Sequence, residues 1–188
     1  MARAAPRSSE VAEGRFWLPG HARDWGTLRE VFEETLNRRD ADALVPLWGE
    51  EIVEVFPHAT LRGRDEVRNY FAETFAALPD FQMEPERIVG EGEIVFVKWR
   101  LTGTFSGASW MGIAPTGTRL ELRGMDCITV RNGLVAHNFV IFDQASFARQ
   151  IGMLPGQDSA GDRAMTAAFN ARTRLKRRLG GRTQASGQ

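Results

Sequence analysis

The sequence predicts an α+β fold in which helices pack on the concave face of a curved, cone-shaped antiparallel sheet. Three observations carry that reading. Apolar residues recur at helical spacing in three segments before Pro79. From Phe81 to Asp143 the period changes to two, over four consecutive strand-like segments. Asn132-Gly133 stands between the last two, a strong short-range hairpin signal. Helices first and a run of strands afterwards is the α+β pattern, with the helices segregated to one face.

Taken in order, Met1 to about Gly20 mixes Ala, Arg, Ser, Glu and Gly without period and reads as a flexible arm, with Phe16, Trp17 and Leu18 able to dock on the body. A helix starts at Asp24, with Leu28, Val31, Phe32, Thr35 and Leu36 at helical spacing. Asn37-Arg38-Arg39-Asp40 breaks it, and Asp40 caps a short second helix through Leu44, Val45, Leu47 and Trp48. Ile52 to Phe56 is a strand ended by Pro57, and His58 to Gly63 is a loop or short hairpin. Arg64 to Leu78 is a third amphipathic helix, with Val67, Tyr70, Phe71, Phe75 and Leu78 on one side. Strands follow at Phe81 to Glu91 and at Glu93 to Phe105. Thr118 to Val130 and Leu134 to Asp143 then form the hairpin. Gln144 to Met153 is a helix stopped by Leu154-Pro155-Gly156. Asp162 to Leu179 is a basic helix, and Gly180 onward is a disordered tail. The domain assignment is thus an arm (1–20), one folded domain (21–156) and a basic appendage (157–188).

The hairpin holds the most informative residue. On the outgoing strand Leu120, Leu122, Gly124, Asp126, Ile128 and Val130 share one face, so Asp126 is the one charged residue on an apolar surface. A carboxyl there must be paired, hydrogen-bonded or protonated. A two-residue turn sets Asp126 opposite Phe139, and a three-residue turn with Gly133 as the bulge sets it opposite Asn138. The second is preferred, because it gives the carboxyl a polar partner. Asn138, Val140 and Phe142 then share its face, while His137, Phe139 and Ile141 line the other, which also needs a cover.

Bulk properties narrow the function. Net charge is zero, so no global field points to nucleic acid, although five Arg and one Lys lie between Arg172 and Arg182 without an acid. Cys127 is the single cysteine, which excludes an intrachain disulfide and suits a reducing cytoplasm. No apolar run approaches the roughly 20 residues of a membrane span, and no signal peptide is expected. His21, His58 and His137 are scattered without ligand spacing, so no metal is expected. There is no phosphate-cradling glycine loop, dinucleotide fingerprint or nucleophile elbow, so the expected chemistry is free of cofactors.

Gly-Ile-Ala-Pro-Thr-Gly (112–117), Arg-Gly-Met-Asp (123–126), Val-Arg-Asn-Gly-Leu-Val (130–135) and the Phe-Asp…Gln-Ile-Gly-Met-Leu-Pro run (142–155) resemble the SnoaL-like polyketide cyclase family, within the nuclear transport factor 2-like (cystatin-like) superfamily. The resemblance spans roughly Leu28 to Pro155. It implies an apolar pocket between sheet and helices, and cofactor-free cyclisation or isomerisation of a hydrophobic molecule such as a polyketide or terpenoid. The cyclases' catalytic aspartate falls at Val140, and their pocket histidine at Asp126. Limonene-type epoxide hydrolases place an aspartate at Val140 too, and their arginine and second aspartate fall at Trp99 and Leu101. The ketosteroid isomerases' tyrosine falls at Phe32, their base near Phe56, and their protonated aspartate at Asp126.

The catalytic candidates are therefore Asp126 as proton donor or shuttle, Asn138 to orient it and His58 to assist from the pocket mouth. Glu54 faces pocket or solvent, depending on a bulge near Pro57. Trp48, Phe32, Phe56, Trp99, Trp110, Val140 and Phe142 are the expected substrate wall, with Trp110 and Met111 as a lid. His137 belongs to a surface or interface, and Asp143 caps the next helix. Epoxide opening by Asp126 and non-catalytic binding are the alternatives. The expected partners are a hydrophobic small molecule and a second copy, through the outer sheet face; nucleic acid and membrane are not expected.

Overall fold

The computed structural model describes Leu28 and residues 34–184, with side chains as far as Arg177. The expected N-terminal arm, His21 and Phe32 lie outside the described residues. Leu28 is helical and wholly buried. Helix α1 (Leu36–Arg38) ends where Arg39 enters the left-handed region at φ 56°. Asn37 ties this corner to the sheet, its amide nitrogen donating to the Met83 carbonyl (2.9 Å) and its oxygen accepting from Met83 N (2.7 Å).

Asp40 caps α2 (Ala41–Leu44), its carboxylate accepting from the backbone N of Asp42 and Ala43. The helix stops there. Pro46 has no N–H to continue the ladder, and Val45–Leu47 forms a 3-10 turn. Trp48 therefore opens strand β1 (Trp48–Phe56) rather than closing a helix. Strand β1 starts four residues earlier than the apolar run suggested. Its pairing jumps between Trp48↔Val135 and Val53↔His137, which absorbs the polar Gly49-Glu50-Glu51 in an irregularity. Pro57 and His58 form the turn to β2 (Ala59–Arg62), so the short hairpin is the form adopted.

Helix α3 (Gly63–Ala77) starts at Gly63, whose φ of +76° suits glycine. Glu66 reaches back to accept from Arg62 N at 2.8 Å. Val67, Thr74, Phe75 and Ala77 are its buried residues, and Phe71 stacks on Trp48 at 5.7 Å. Strands β3 (Gln82–Glu91), β4 (Ile94–Thr104), β5 (Arg119–Arg131) and β6 (Leu134–Phe142) complete a curved, open, six-stranded sheet of order β2-β1-β6-β5-β4-β3. All neighbours are antiparallel except β1 and β6, which run parallel. Asp143 caps α4 (Gln144–Gln150) by accepting from Ser146 N at 2.9 Å, and Phe147 packs on Trp110 at 5.4 Å. The last helix, α5 (Ala160–Gln184), runs past Gly180, where a disordered tail was expected. A helix tolerates glycine at about 1 kcal/mol each relative to alanine. Among the described residues no helix is long and apolar enough to cross a membrane.

The β5–β6 register differs from both expected alternatives. Arg131 pairs with Leu134 across a two-residue turn in which Asn132 and Gly133 both have positive φ, as a primed turn requires. One residue later the ladder slips. Val130 pairs with Val135 but Thr129 with His137, leaving Ala136 as a bulge. Asp126 thus lies opposite Val140, and Asn138 opposite Ile128. The slip moves the register by two relative to the three-residue turn, so Asn138, Val140 and Phe142 keep the face of Asp126.

Gly124 lies opposite Trp99 in the β4–β5 ladder, and the indole covers its Cα. A Cβ at Gly124 would run into the Trp99 ring and come within 2.6 Å of the Ile141 carbonyl oxygen. Gly124→Ala is expected to lower unfolding free energy by about 1–3 kcal/mol, the usual cost of overpacking a core. Denaturant titration followed by tryptophan fluorescence reads this, and a variant as stable as the parent would show that the ring is not pinned there.

Candidate functional site

A cavity lies between the concave face of the sheet and the helices, with about 80 Å3 open to the centre of a water-sized sphere. That is room for several waters or a small organic group. Its wall is mostly apolar, with aromatic rings from Trp48, Phe56, Tyr70, Phe71, Phe81, Trp99, Trp110 and Phe142 set among aliphatic side chains that include Val140. The polar residues in it are Glu54, Thr74, Asp126 and Asn138, and no Lys, Arg or His lines it among the described residues. Every expected wall residue apart from the undescribed Phe32 is present.

The sheet order brings the polar groups together. Strand β5 supplies Asp126, β4 supplies Trp99, β6 supplies Asn138 and the parallel pairing of β1 with β6 sets Glu54 beside Asn138. Asp126 is 5% exposed. Trp99 Nε1 donates to its Oδ1 at 2.8 Å, and Asn138 Nδ2 donates to its Oδ2 at 3.3 Å. Burial nevertheless pushes the carboxyl up to about 7, against the lowering effect of those two donors. Two neutral donors do not replace a full water shell.

Glu54 is 3% exposed and faces the same cavity. The irregularity that decides this lies between Trp48 and Val53, not near Pro57. Burial, reinforced by the neighbouring Asp126 charge and opposed by the Asn138 amide, raises its carboxyl to about 8. Its Oε2 and the Asn138 Oδ1 are buried without a hydrogen-bond partner. Tyr70, on α3, has its phenol pushed well above the ordinary range by burial and by the Glu54 charge. Burial thus favours the protonated form of both carboxyls, and the proximity of the two acids favours it further at Glu54.

The structure brings Asp126 and Asn138 together and sets His58 apart. His58 occupies the β1–β2 turn, exposed, with its ring 5.8 Å from Phe56 and 6.2 Å from Phe142, and it is not part of the cavity wall. Partial burial lowers its imidazole. Trp110 both lines the cavity and packs on Phe105 and Phe147, so the wall and core roles coincide. The residue that sequence reasoning undervalued is Glu54. Its signal was the one that flagged Asp126, a charge between apolar neighbours on one strand face, Ile52 and Phe56. Among the described residues no group of three or more His, Cys, Asp or Glu side chains is placed to hold a metal ion.

Comparison with known proteins agrees with this fold. The model of the family described as SnoaL-like polyketide cyclase matches residues 26–151. Three solved structures share the fold. A SnoaL-like protein from Jannaschia sp. CCS1 is 20% identical, with a TM-score of 0.65 over 76% of this chain and 100% of its own. AclR from Streptomyces galilaeus is 21% identical, with a TM-score of 0.65 over 85% of this chain and 98% of its own. TsrD from Streptomyces laurentii is 21% identical, with a TM-score of 0.64 over 72% and 98%. No curated protein matches the chain by sequence.

The buried acids make stability depend on pH. A carboxyl whose folded pKa is raised binds more protons in the native state than in the unfolded chain, so stability falls as pH climbs between the two values. For Glu54 that window runs from 4.5 to about 8. Glu54→Gln is expected to remove this loss, so its stability relative to the parent should grow across the window by at most about 1.4 kcal/mol per pH unit. Parallel urea titrations from pH 5 to 8 measure the difference, and a constant offset would show that Glu54 is not held neutral.

Proposed function

The chain belongs to the SnoaL-like polyketide cyclase family, and from that premise we propose that it is a cofactor-independent cyclase or isomerase. Its substrate is a hydrophobic small molecule, polyketide- or terpenoid-like, and Asp126 moves a proton at the reacting carbon skeleton. One observation carries the reading: Asp126 is a buried carboxyl, held by Trp99 and Asn138, facing an apolar cavity with its pKa raised to about 7. A group that titrates near working pH is suited to proton transfer in either direction. Asn138 fixes the carboxyl's orientation. The aromatic wall takes the substrate's apolar body and keeps water away. His58 sits at the rim and contacts Phe56, Tyr70 and Phe142, so its contribution is to the mouth of the cavity.

A second reading has its own observation. The position at which the family's cyclases carry their catalytic aspartate holds Val140, which favours a binder that uses the same cavity without turnover. Ligands released from the purified protein and identified by mass spectrometry supply the substrate for both readings. Asp126→Asn is then expected to keep the ligand bound but to lose turnover by about 100-fold or more. A variant that turns over at the parent rate overturns the proton-transfer role, and a parent that binds without forming product establishes the binder.

The assembly belongs to this proposal as well. On the outer face Phe96, Cys127, Phe139 and Val55 pair in one row across four strands, and Phe139 and Ile141 are 43% and 55% exposed. A contiguous apolar strip of that kind is suited to a two-fold pairing of sheets. At roughly 10 µM the protein is expected to sediment as two chains and Phe139→Asp as one, since dimers follow mass action. A parent that sediments as a single chain overturns the pairing.

A further inference from the structure

Glu54 is a buried acid that the reading above leaves without a task. We propose that Glu54 is a second catalytic residue of the site, a neutral carboxylic acid that donates through Oε2 to the substrate's developing oxyanion while the Asp126 carboxylate takes the proton from carbon. The proposal rests on the proton-transfer reading of Asp126 and names its substrate class: a neutral, apolar carbon acid whose reacting C–H stands next to a carbonyl or an equivalent acceptor.

The hydrogen bonds distinguish the two carboxyls. Both oxygens of Asp126 receive a donor, one from Trp99 and one from Asn138, which is an environment that supports the anion. Glu54 Oε2 receives none, although it is buried. An anionic oxygen left so would carry its full desolvation cost, whereas a protonated oxygen needs no donor and has a proton to give. Glu54 lines the cavity, where a bound substrate could receive that proton. Burial and the neighbouring Asp126 charge both raise the Glu54 carboxyl, so an anionic Asp126 favours the protonated form of Glu54. The groups that face Glu54 are Asp126 from β5, Tyr70 from α3 and Asn138 from β6, while β2 sets Leu61 against it and brings no charge. No cation lines the wall among the described residues, so an anionic substrate would meet Asp126 uncompensated. That is why the substrate class is neutral.

The step balances without a co-reactant. The C–H bond breaks and its proton goes to an Asp126 oxygen. The electron pair forms a carbon–carbon double bond as the carbonyl π pair moves to oxygen, and that oxygen takes the Glu54 proton. An enol, a neutral Asp126 and an anionic Glu54 remain, so total charge is unchanged. Return of the Asp126 proton to a different carbon of a conjugated enol, with the enol O–H proton going back to Glu54, gives an isomer and restores both carboxyls. Attack of the enol carbon on a second carbonyl in the same molecule, whose oxygen takes the Asp126 proton as the enol O–H proton returns to Glu54, gives a ring.

Benzisoxazoles test both roles at once, because base removes the C3 proton while the N–O bond breaks and a phenolate oxygen develops. With 5-nitrobenzisoxazole the full-length protein is expected to show a bell-shaped kcat/KM, rising near pH 7 with Asp126 and falling near pH 8 with Glu54. Glu54→Gln should remove the falling limb. It should also slow unsubstituted benzisoxazole, the poorer leaving group, by at least about tenfold more than the nitro compound, since a better leaving group needs less help from an acid. Glu54→Asp, which keeps an acid, should retain the limb. Equal slowing of both probes by Glu54→Gln, a surviving high-pH limb, or a parent no faster than Glu54→Gln on either probe overturns the role of Glu54. Loss of the low-pH limb and of activity in Asp126→Asn reports on the other carboxyl alone, so the failure of either assignment is told apart.

Discussion

Two carboxyls buried against one amide are the constraint around which this fold is arranged. Asp126 and Glu54 stand in a cavity walled mainly by aromatic and aliphatic side chains, where a lone charge would be strongly disfavoured. Three features make the arrangement tenable. Asn138 stands between the two acids on β6. Trp99 brings an indole N–H to Asp126, which it can do because its ladder partner is Gly124 and leaves space for the ring. The parallel pairing of β1 with β6 delivers Glu54 to the same face. Breaking any one leaves an acid without its support, so the sheet order and the site cannot be separated.

Much of this was legible in the sequence, and what was not has identifiable causes. The faces of β5 and β6 were read correctly because side-chain direction alternates with period two, and a register error of two residues does not disturb it. The register itself was not, because it depends on Ala136, a bulge with no glycine or proline to announce it. Asn138 was therefore placed directly opposite Asp126 and in fact reaches it diagonally. The start of β1 was hidden for a similar reason. Gly49-Glu50-Glu51 carries no strand pattern, and Trp48 belongs to the sheet only because a second irregularity absorbs those residues. Helix caps at Asp40 and Asp143 were local and were read directly. The extent of the basic helix beyond Gly180 was not, since glycine weakens a helix without ending it.

Glu54 shows the limit of reading one strand at a time. Ile52, Glu54 and Phe56 alternate as Leu122, Asp126 and Ile128 do, in that each strand sets one acid on an apolar face. A single strand does not reveal that both acids face one cavity. That depends on β1 joining β6 instead of extending a purely antiparallel run, a fact of topology and not of pattern. The family resemblance directed attention to Val140 and Asp126, and on β1 to Phe56 rather than to Glu54 two residues before it. The acid on β1 reaches the same cavity as Val140 and Asp126 from a strand on the other side of β6.

The outer face follows a different rule from the inner one. Toward β3 it is laced with exposed ion pairs, Arg100 with Glu84 and Lys98 and Arg123 with Glu86. Such pairs contribute little to stability, typically below about 1 kcal/mol each. They do keep that half of the sheet solvated. Toward β6 the same face turns apolar at Phe96, Met125, Phe139 and Ile141. The division falls within strands β4 and β5, so it reflects two uses of one surface and not a difference between elements. Because alternate residues of β5 and β6 point to opposite faces, Met125 and Cys127 stand on the outside between Gly124, Asp126 and Ile128 on the inside. Covering the outer strip would thus hold the backbone that positions the acids, and the precision of the cavity would come to depend on what packs behind it.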